Sequence, residues 1–473
     1  MDQRNAAQPG SPAWIGASVD GPRLLLAVFL AALAVRFSNV LAIAVVDGWT
    51  FMIQDSPLYY AIVDDWRATG RMMRIEPEGG LFWEFERPPL YPMLLWGLES
   101  LWGRSDMAVA LVQGLLDAAT CVMIADAARR LGPRIGALAG LLAVLSPVMV
   151  TTSAVVVGDT LFLFLQMVGV WALIRFAETG RPGAAVLAGL GFGLACATRV
   201  QIQYLLPLLA LLVVVLAVRA EGPRARRAGA AILFALAMAA PLAPILKASH
   251  DAYGEAFISR QAGVHILGWV LPKVHPDTAT LPHDEASRRW NRRFKDAMVR
   301  RGVDPDAVSP PVLQRLRQEY GVSALTEVPI GALLLGWSQG AVLNVTLPAI
   351  LYDERVRALS PQGFSTVEGD SLPERVAAYV ADADPTWVAI AVAAAVGAGA
   401  MTLLHLLGLG LLLRWRPWIA LLLILGAGYH LGVLGPVAAA KYRLPVEPVL
   451  LVLSAVAIDW LLQRLAGRGP RRR

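Results

Sequence analysis

Two aspartates and two arginines stand where apolar runs of this sequence end. Asp55 follows the first run in FMIQDSPLYY (51–60), and Asp159 opens another in GDT (158–160). Arg87 lies in FERPPLYP (85–92), and Arg199 in ATRVQ (197–201). The run before Arg199 makes roughly 22 Å of helix, short against a hydrocarbon core of about 30 Å, which predicts that Arg199 sits slightly below the membrane surface. If these groups converge on one crevice, the carboxylates can accept a proton. The guanidiniums can hold a phosphate without a metal, since they stay charged at any working pH. The competing role for Asp55 is a cap on the helix starting near Pro57. Ser56, directly before the proline, is the better cap and leaves Asp55 free to project.

The elements that must position these residues are membrane helices. The chain has 473 residues, 56% apolar and 16% charged, with mean hydropathy +0.54; ordinary soluble domains are roughly a quarter charged. Apolar runs long enough to cross a bilayer recur at 24–46, 105–128, 135–151, 160–176, 184–198, 201–218, 228–247, 386–413, 417–435 and 445–463. The expected fold is therefore an all-α polytopic bundle of about ten transmembrane helices with interfacial helices outside. Arg129, Arg130, Arg134, Arg175, Arg181, Arg219, Arg224, Arg226, Arg227, Arg414, Arg416 and the tail GRGPRRR all fall on one side. That side is cytoplasmic by the positive-inside rule, and both termini lie there. The division expected is a tail at 1–23, a transmembrane module at 24–247 with an outer loop at 47–104, an outer segment at 248–385, C-terminal helices at 386–463 and a basic tail at 464–473. The segment 329–352 is long enough to span. Spanning would turn the arginines near 414 and 464 outward, so it is placed along the outer interface or re-entering.

Other features carry less chemistry. The net charge of +6 suits anionic headgroups, and no basic domain with interleaved aromatics suggests nucleic acid. Cys121 and Cys196 fall inside apolar runs, as small hydrophobes rather than a disulfide or thiolate site. The A-x-A triplet at 42–44 sits in a run too long for a signal h-region, so the helix is read as retained. His250, His265, His275 and His283 fit no compact zinc spacing. RRWNRRFK (288–295) reads as a solvated or headgroup-facing helix surface. Trp102, Trp337, Trp387 and Trp418 read as interface anchors. Arg36 lies within the first apolar run and either pairs with an acid, supports a phosphate or snorkels. Glu86 can order its loop by pairing with Arg87, or stay solvated. Tyr59, Tyr60 and Tyr91 can stack on a sugar, although tyrosines at a bilayer interface are common. Arg443, at the outer end of the last run, can contact phosphate. No Walker A or Rossmann fingerprint occurs, and no internal repeat.

D-S-P-L-Y-Y after the first helix, R-P-P-L-Y-P about 30 residues on, an outer G-D-T and Y-R-L-P (442–445) before the last helix resemble the GT-C glycosyltransferases. The bacterial enzymes allied to protein mannosyltransferases and to the aminoarabinose transferase of lipid A are the nearest in pattern. The similarity covers roughly 20–245, with a weaker echo at 436–463. It implies a polyprenyl-phosphate sugar donor, a glycan, lipid or protein acceptor on the outer side of a bacterial cytoplasmic membrane, and inverting transfer. Asp55 then maps to the general base, Asp159 to an auxiliary acid and Arg87 to the basic residue of the x-P-P-L-Y motif. Many relatives carry two adjacent acids where this chain has Gln54-Asp55, which weakens any case for a divalent metal; no cofactor is expected. The alternative is a transporter or lipid flippase, which predicts acids near the bilayer midplane.

Overall fold

The computed structural model describes residues 21–53, 55–75, 80–84, 86–219, 224–305, 307–348, 350, 354–357, 359, 367, 371–381 and 383–467. The basic tail beyond 467 and residues 1–20 lie outside them. Among the described residues the chain is helical except for one antiparallel hairpin, β1 (Met73–Ile75) and β2 (Leu81–Trp83).

The first half runs α1 (Gly21–Val45), α2 (Ser56–Thr69), the hairpin, α3 (Leu90–Trp102), α4 (Asp106–Ala128), α5 (Pro133–Leu145), α6 (Pro147–Ser153), α7 (Asp159–Thr179) and α8 (Pro182–Thr198). A 3-10 stretch (Val200–Leu205) leads into α9 (Leu206–Arg219), followed by α10 (Arg224–Ala239) and α11 (Ala243–Tyr253). Then come α12 (Ala262–His265), α13 (Leu271–Val274), α14 (His283–Arg300), α15 (Pro310–Thr326), α16 (Ile330–Thr346), and the short α17 (Glu354–Arg357) and α18 (Leu372–Ala381). The chain closes with α19 (Pro385–Trp415), α20 (Pro417–Leu434), the single turn α21 (Ala440–Arg443) and α22 (Glu447–Leu465).

Seven of the described helices are long and apolar enough to cross a membrane singly. Each of the ten expected spans falls on helix. Two are broken: α5 and α6 bend by 48° at Pro147, and α10 and α11 by 47° near Pro241. Proline removes a backbone donor and clashes with the preceding turn, so the sequence itself marks these breaks. The fifth, α8, has only 17 residues. Burial sorts the helices: α4, α7 and α22 are half to two-thirds buried in their most apolar windows, whereas none of that window of α19 is buried. Leu403, Leu406 and Trp418 are among the large apolar side chains left exposed on the periphery, as lipid-facing surfaces require.

Close approach needs small residues. A Cβ on Gly193 would lie 2.3 Å from the Met238 carbonyl oxygen, and one on Gly189 2.3 Å from that of Phe234, so α8 and α10 touch backbone to backbone. Within the segment 329–352 the described helix is α16, one run of 17 residues, and it meets the preceding α15 at 112°. α16 braces the chain after α20, with Trp337 Nε1 donating to the Gly432 carbonyl (3.0 Å) and Asn344 Nδ2 to that of Val437 (2.8 Å).

Outside the main bundle, Leu267, Leu271, Trp290, Phe294, Met298 and Ala324 make a separate core. Trp290 and Phe294 anchor the RRWNRRFK helix, while Arg288, Arg289, Arg292 and Lys295 stay exposed. This unit and the chain leading into it grip the loop that carries Arg87. Tyr253 Oη donates to the Trp83 carbonyl, Ser259 Oγ to that of Glu86 (2.6 Å), and Gln314 Nε2 to Glu86 Oε1 (2.9 Å).

Candidate active site

The loop carrying Asp55 is clipped to the loop before α7. Val156 N–H donates to the Phe51 carbonyl (2.9 Å), and Ser56 Oγ donates to the Val156 carbonyl (2.7 Å) while accepting from Ile53 N–H (2.9 Å). Ser56 is therefore not the expected helix cap; its hydroxyl holds two loops together. Asp55 occupies the cap position with helical backbone angles (φ −85°, ψ −17°) and makes no side-chain cap bond. Its carboxylate points instead to Lys441 of α21, which donates to Oδ2, and to Arg87, whose guanidinium lies 3.6 Å from Oδ1. Burial pushes the Asp55 carboxyl up, but Lys441 and then Arg87 and Arg199 outweigh it and hold it below the usual carboxylate range.

The same clip brings Asp159 alongside. It is the first residue of α7, is 3% exposed and forms an ion pair with Arg199. Arg199 gets there because α8 stops at Thr198 and residue 199 is extended (φ −145°, ψ 126°) before the 3-10 stretch. Three cations, Lys441, Arg87 and Arg199, thus face two carboxylates, Asp55 and Asp159. The cluster is one positive charge in excess, a match for an incoming anion.

Arg87 is preset from both sides. Glu84 Oε1 accepts the backbone N–H groups of Glu86 (2.8 Å) and Arg87 (3.1 Å), and Arg74 holds its other oxygen (2.7 Å). The Tyr59 ring lies 4.9 Å from the Arg87 guanidinium carbon, a cation–π contact. Tyr59 rests edge-on against Tyr91 at 4.8 Å, and Tyr91, fully buried, donates to Gln113 (2.9 Å). Tyr59 and Tyr91 are core supports for Arg87, neither a sugar platform nor an interface belt. Glu84, rather than Glu86, orders the loop. Glu86 turns to Gln314, and burial followed by the Glu84 charge raises its carboxyl above the usual range.

Two expected phosphate ligands lie elsewhere. Arg36 is fully buried within the bundle. Its Nε donates to Asp117 (2.7 Å), and its terminal nitrogens donate to the carbonyls of Ala143 (2.9 Å) and Val144. Those carbonyls are freed where Pro147 breaks the helix, so Arg36 caps the break and neither snorkels nor meets a phosphate. Arg443 is engaged by Glu447 (2.6 Å) and the Val345 carbonyl (3.1 Å). The cation delivered to Asp55 from this turn is Lys441, which motif reading passed over. Its only signal was its place two residues before Arg443. Among the described residues no three His, Cys, Asp or Glu side chains converge as a metal site would need.

Residues 86–245 match the family described as dolichyl-phosphate-mannose-protein mannosyltransferase. That segment contains Arg87, Asp159 and Arg199, and Asp55 and Lys441 lie outside it. No curated protein matches the sequence. Among solved structures, ArnT from Cupriavidus metallidurans bound to undecaprenyl phosphate aligns at 17% identity, covering 93% of this chain and 78% of that one, with a TM-score of 0.39. Its apo form aligns at 18% identity, covering 94% and 81%, also at 0.39.

Proposed function

We propose that this chain, whose residues 86–245 carry the mannosyltransferase family signature of the GT-C membrane glycosyltransferases, transfers a sugar from a polyprenyl-phosphate donor to an acceptor hydroxyl. The acceptor, a glycan, lipid or protein, is met on the outer face of a bacterial cytoplasmic membrane. The observation that carries this reading is the Asp55 carboxylate shared between Lys441 and Arg87 beside the Asp159–Arg199 pair.

The chemistry follows from that arrangement. The donor phosphate competes with Asp55 for the N–H groups of Lys441 and Arg87. As they turn to the phosphate, Asp55 loses the charges that made it a weak base and takes the acceptor hydroxyl proton. The hydroxyl oxygen attacks the anomeric carbon opposite the phosphate, the carbon–oxygen bond to phosphate breaks, and configuration inverts. Negative charge develops on the leaving phosphate oxygen, where positioned donors are each worth about 3 kcal/mol. Asp159 acts through Arg199, fixing its direction. The transporter reading needs ionisable groups along a path through the bundle. Arg36 and Asp117, one pair buried there, are closed on each other and on a helix break, and Glu447 is taken by Arg443 and Ser146.

The test is transfer from a radiolabelled polyprenyl-phosphate sugar by membranes carrying Asp55→Asn. Loss of a general base lowers turnover by about 10²–10⁴-fold. Undiminished transfer would overturn the assignment.

A further inference from the structure

At the opposite end of α7 the bundle holds a second charged cluster. Asp126 of α4, 2% exposed, is approached by Arg129 (2.6 Å), Arg130 (2.8 Å) and Arg175 (3.3 Å) and accepts from Trp171 Nε1 (2.8 Å). Arg130 is also bound to Glu178 (2.6 Å), and Arg175 lies over the Trp171 ring at 5.1 Å. A cavity of about 400 Å³ opens here, lined among others by Gly21, Leu24, Arg129, Arg130, Arg175 and Glu178. Its walls come from the start of α1, the turn after α4 and the end of α7, the end that the arginine bias assigns to the cytoplasm.

The cluster carries more positive than negative charge. Three guanidiniums face two carboxylates, leaving one positive charge. Four donors approach Asp126, yet Nε of Arg175 is buried with no hydrogen-bond acceptor, and Asp126 Oδ1, 2.6 Å from Arg129 Nε, is buried with no hydrogen bond. Arg129 and Arg175 keep 34% and 37% of their side chains exposed. Guanidiniums held rigid by an ion pair and an indole face, with N–H groups left over at headgroup depth, match a tetrahedral oxyanion.

We propose that this cavity is a binding site for a phosphate ester, separate from the outer crevice: the headgroup of an anionic phospholipid in the cytoplasmic leaflet, or a soluble phosphate reaching the same arginines. Asp126 orders the arginines, and the phosphate takes the N–H groups it leaves unused.

The test uses full-length protein in detergent, titrated in separate arms with phosphatidylglycerol, phosphatidylcholine and inorganic phosphate and read by native mass spectrometry and thermal shift. Preference for phosphatidylglycerol over phosphatidylcholine is expected for the lipid source, and stabilisation by inorganic phosphate alone for the soluble one. Arg129→Gln with Arg175→Gln weakens the binding by about 30-fold, from the contribution of two arginines near the surface. Because that variant can also loosen the fold, Asp126→Asn is the companion. Removing its negative charge tightens phosphate binding even as it lowers thermal stability. Equal binding of all three by the wild type, or an affinity unmoved by both variants, would overturn the site.

Discussion

Asp55 divides its two oxygens between cations from distant parts of the chain, and this division governs its response to pH. With its carboxyl held low in the folded state, the interaction adds stability above the ordinary carboxylate range and loses it as pH falls through the folded value. Lys441→Met leaves burial to prevail, so the acid limb of kcat/KM for transfer moves to higher pH. The same variant weakens donor binding by roughly 10–100-fold, the scale of one hydrogen bond between charged groups, which a donor titration measures. A profile and KM matching wild type would remove Lys441 from the site. Asp55, Arg87, Asp159 and Arg199 were legible because each ends an apolar run or sits in a motif, and such positions face one membrane surface. Lys441 was not, because its partner is 386 residues away and spacing along the chain says nothing about that encounter. On a single helical turn, residues two apart point about 200° from each other, so choosing Arg443 from the same motif meant choosing the wrong face.

Among elements, the breaks matter more than the spans. Hydropathy gave the ten segments but not the bends at Pro147 and Pro241; proline explains a break afterwards, and it carries no direction. The 112° turn between α15 and α16 was therefore not readable, nor was the bracing of the Lys441 approach by Asn344. A break inside a bilayer must find donors for the carbonyls it frees, and Arg36 supplies them. Arg36→Met leaves Asp117 charged and unpaired and should cost about 3–5 kcal/mol, with Arg36→Met plus Asp117→Leu recovering much of it. Thermal unfolding in nanodiscs checks this. Donor KM of the surviving folded enzyme should stay unchanged, since a phosphate ligand would have raised it.

For the whole molecule, the separate unit built on Trp290 and Phe294 and the membrane bundle meet at the loop that carries Arg87. Glu86 is gripped by Ser259 and Gln314, so the outer unit sets the loop's freedom as well as covering it. The raised Glu86 carboxyl has the opposite sign to Asp55: its contribution disfavours the folded state as pH rises from the ordinary glutamate range through its folded value. Gln314→Ala removes a bond that favours the charged form, shifting that window further upward. It should also speed amide hydrogen exchange across 84–87 by roughly 10–100-fold, the weight of one hydrogen bond to a charged group. Exchange at wild-type rates would uncouple the two units.

The tie between Asp55 and Lys441 closes a separation of 386 residues. A ribosome must make the turn before α22 before Asp55 gains its second counter-ion. Until that turn is made, Arg87 is the one of its two ion-pair partners that Asp55 can meet.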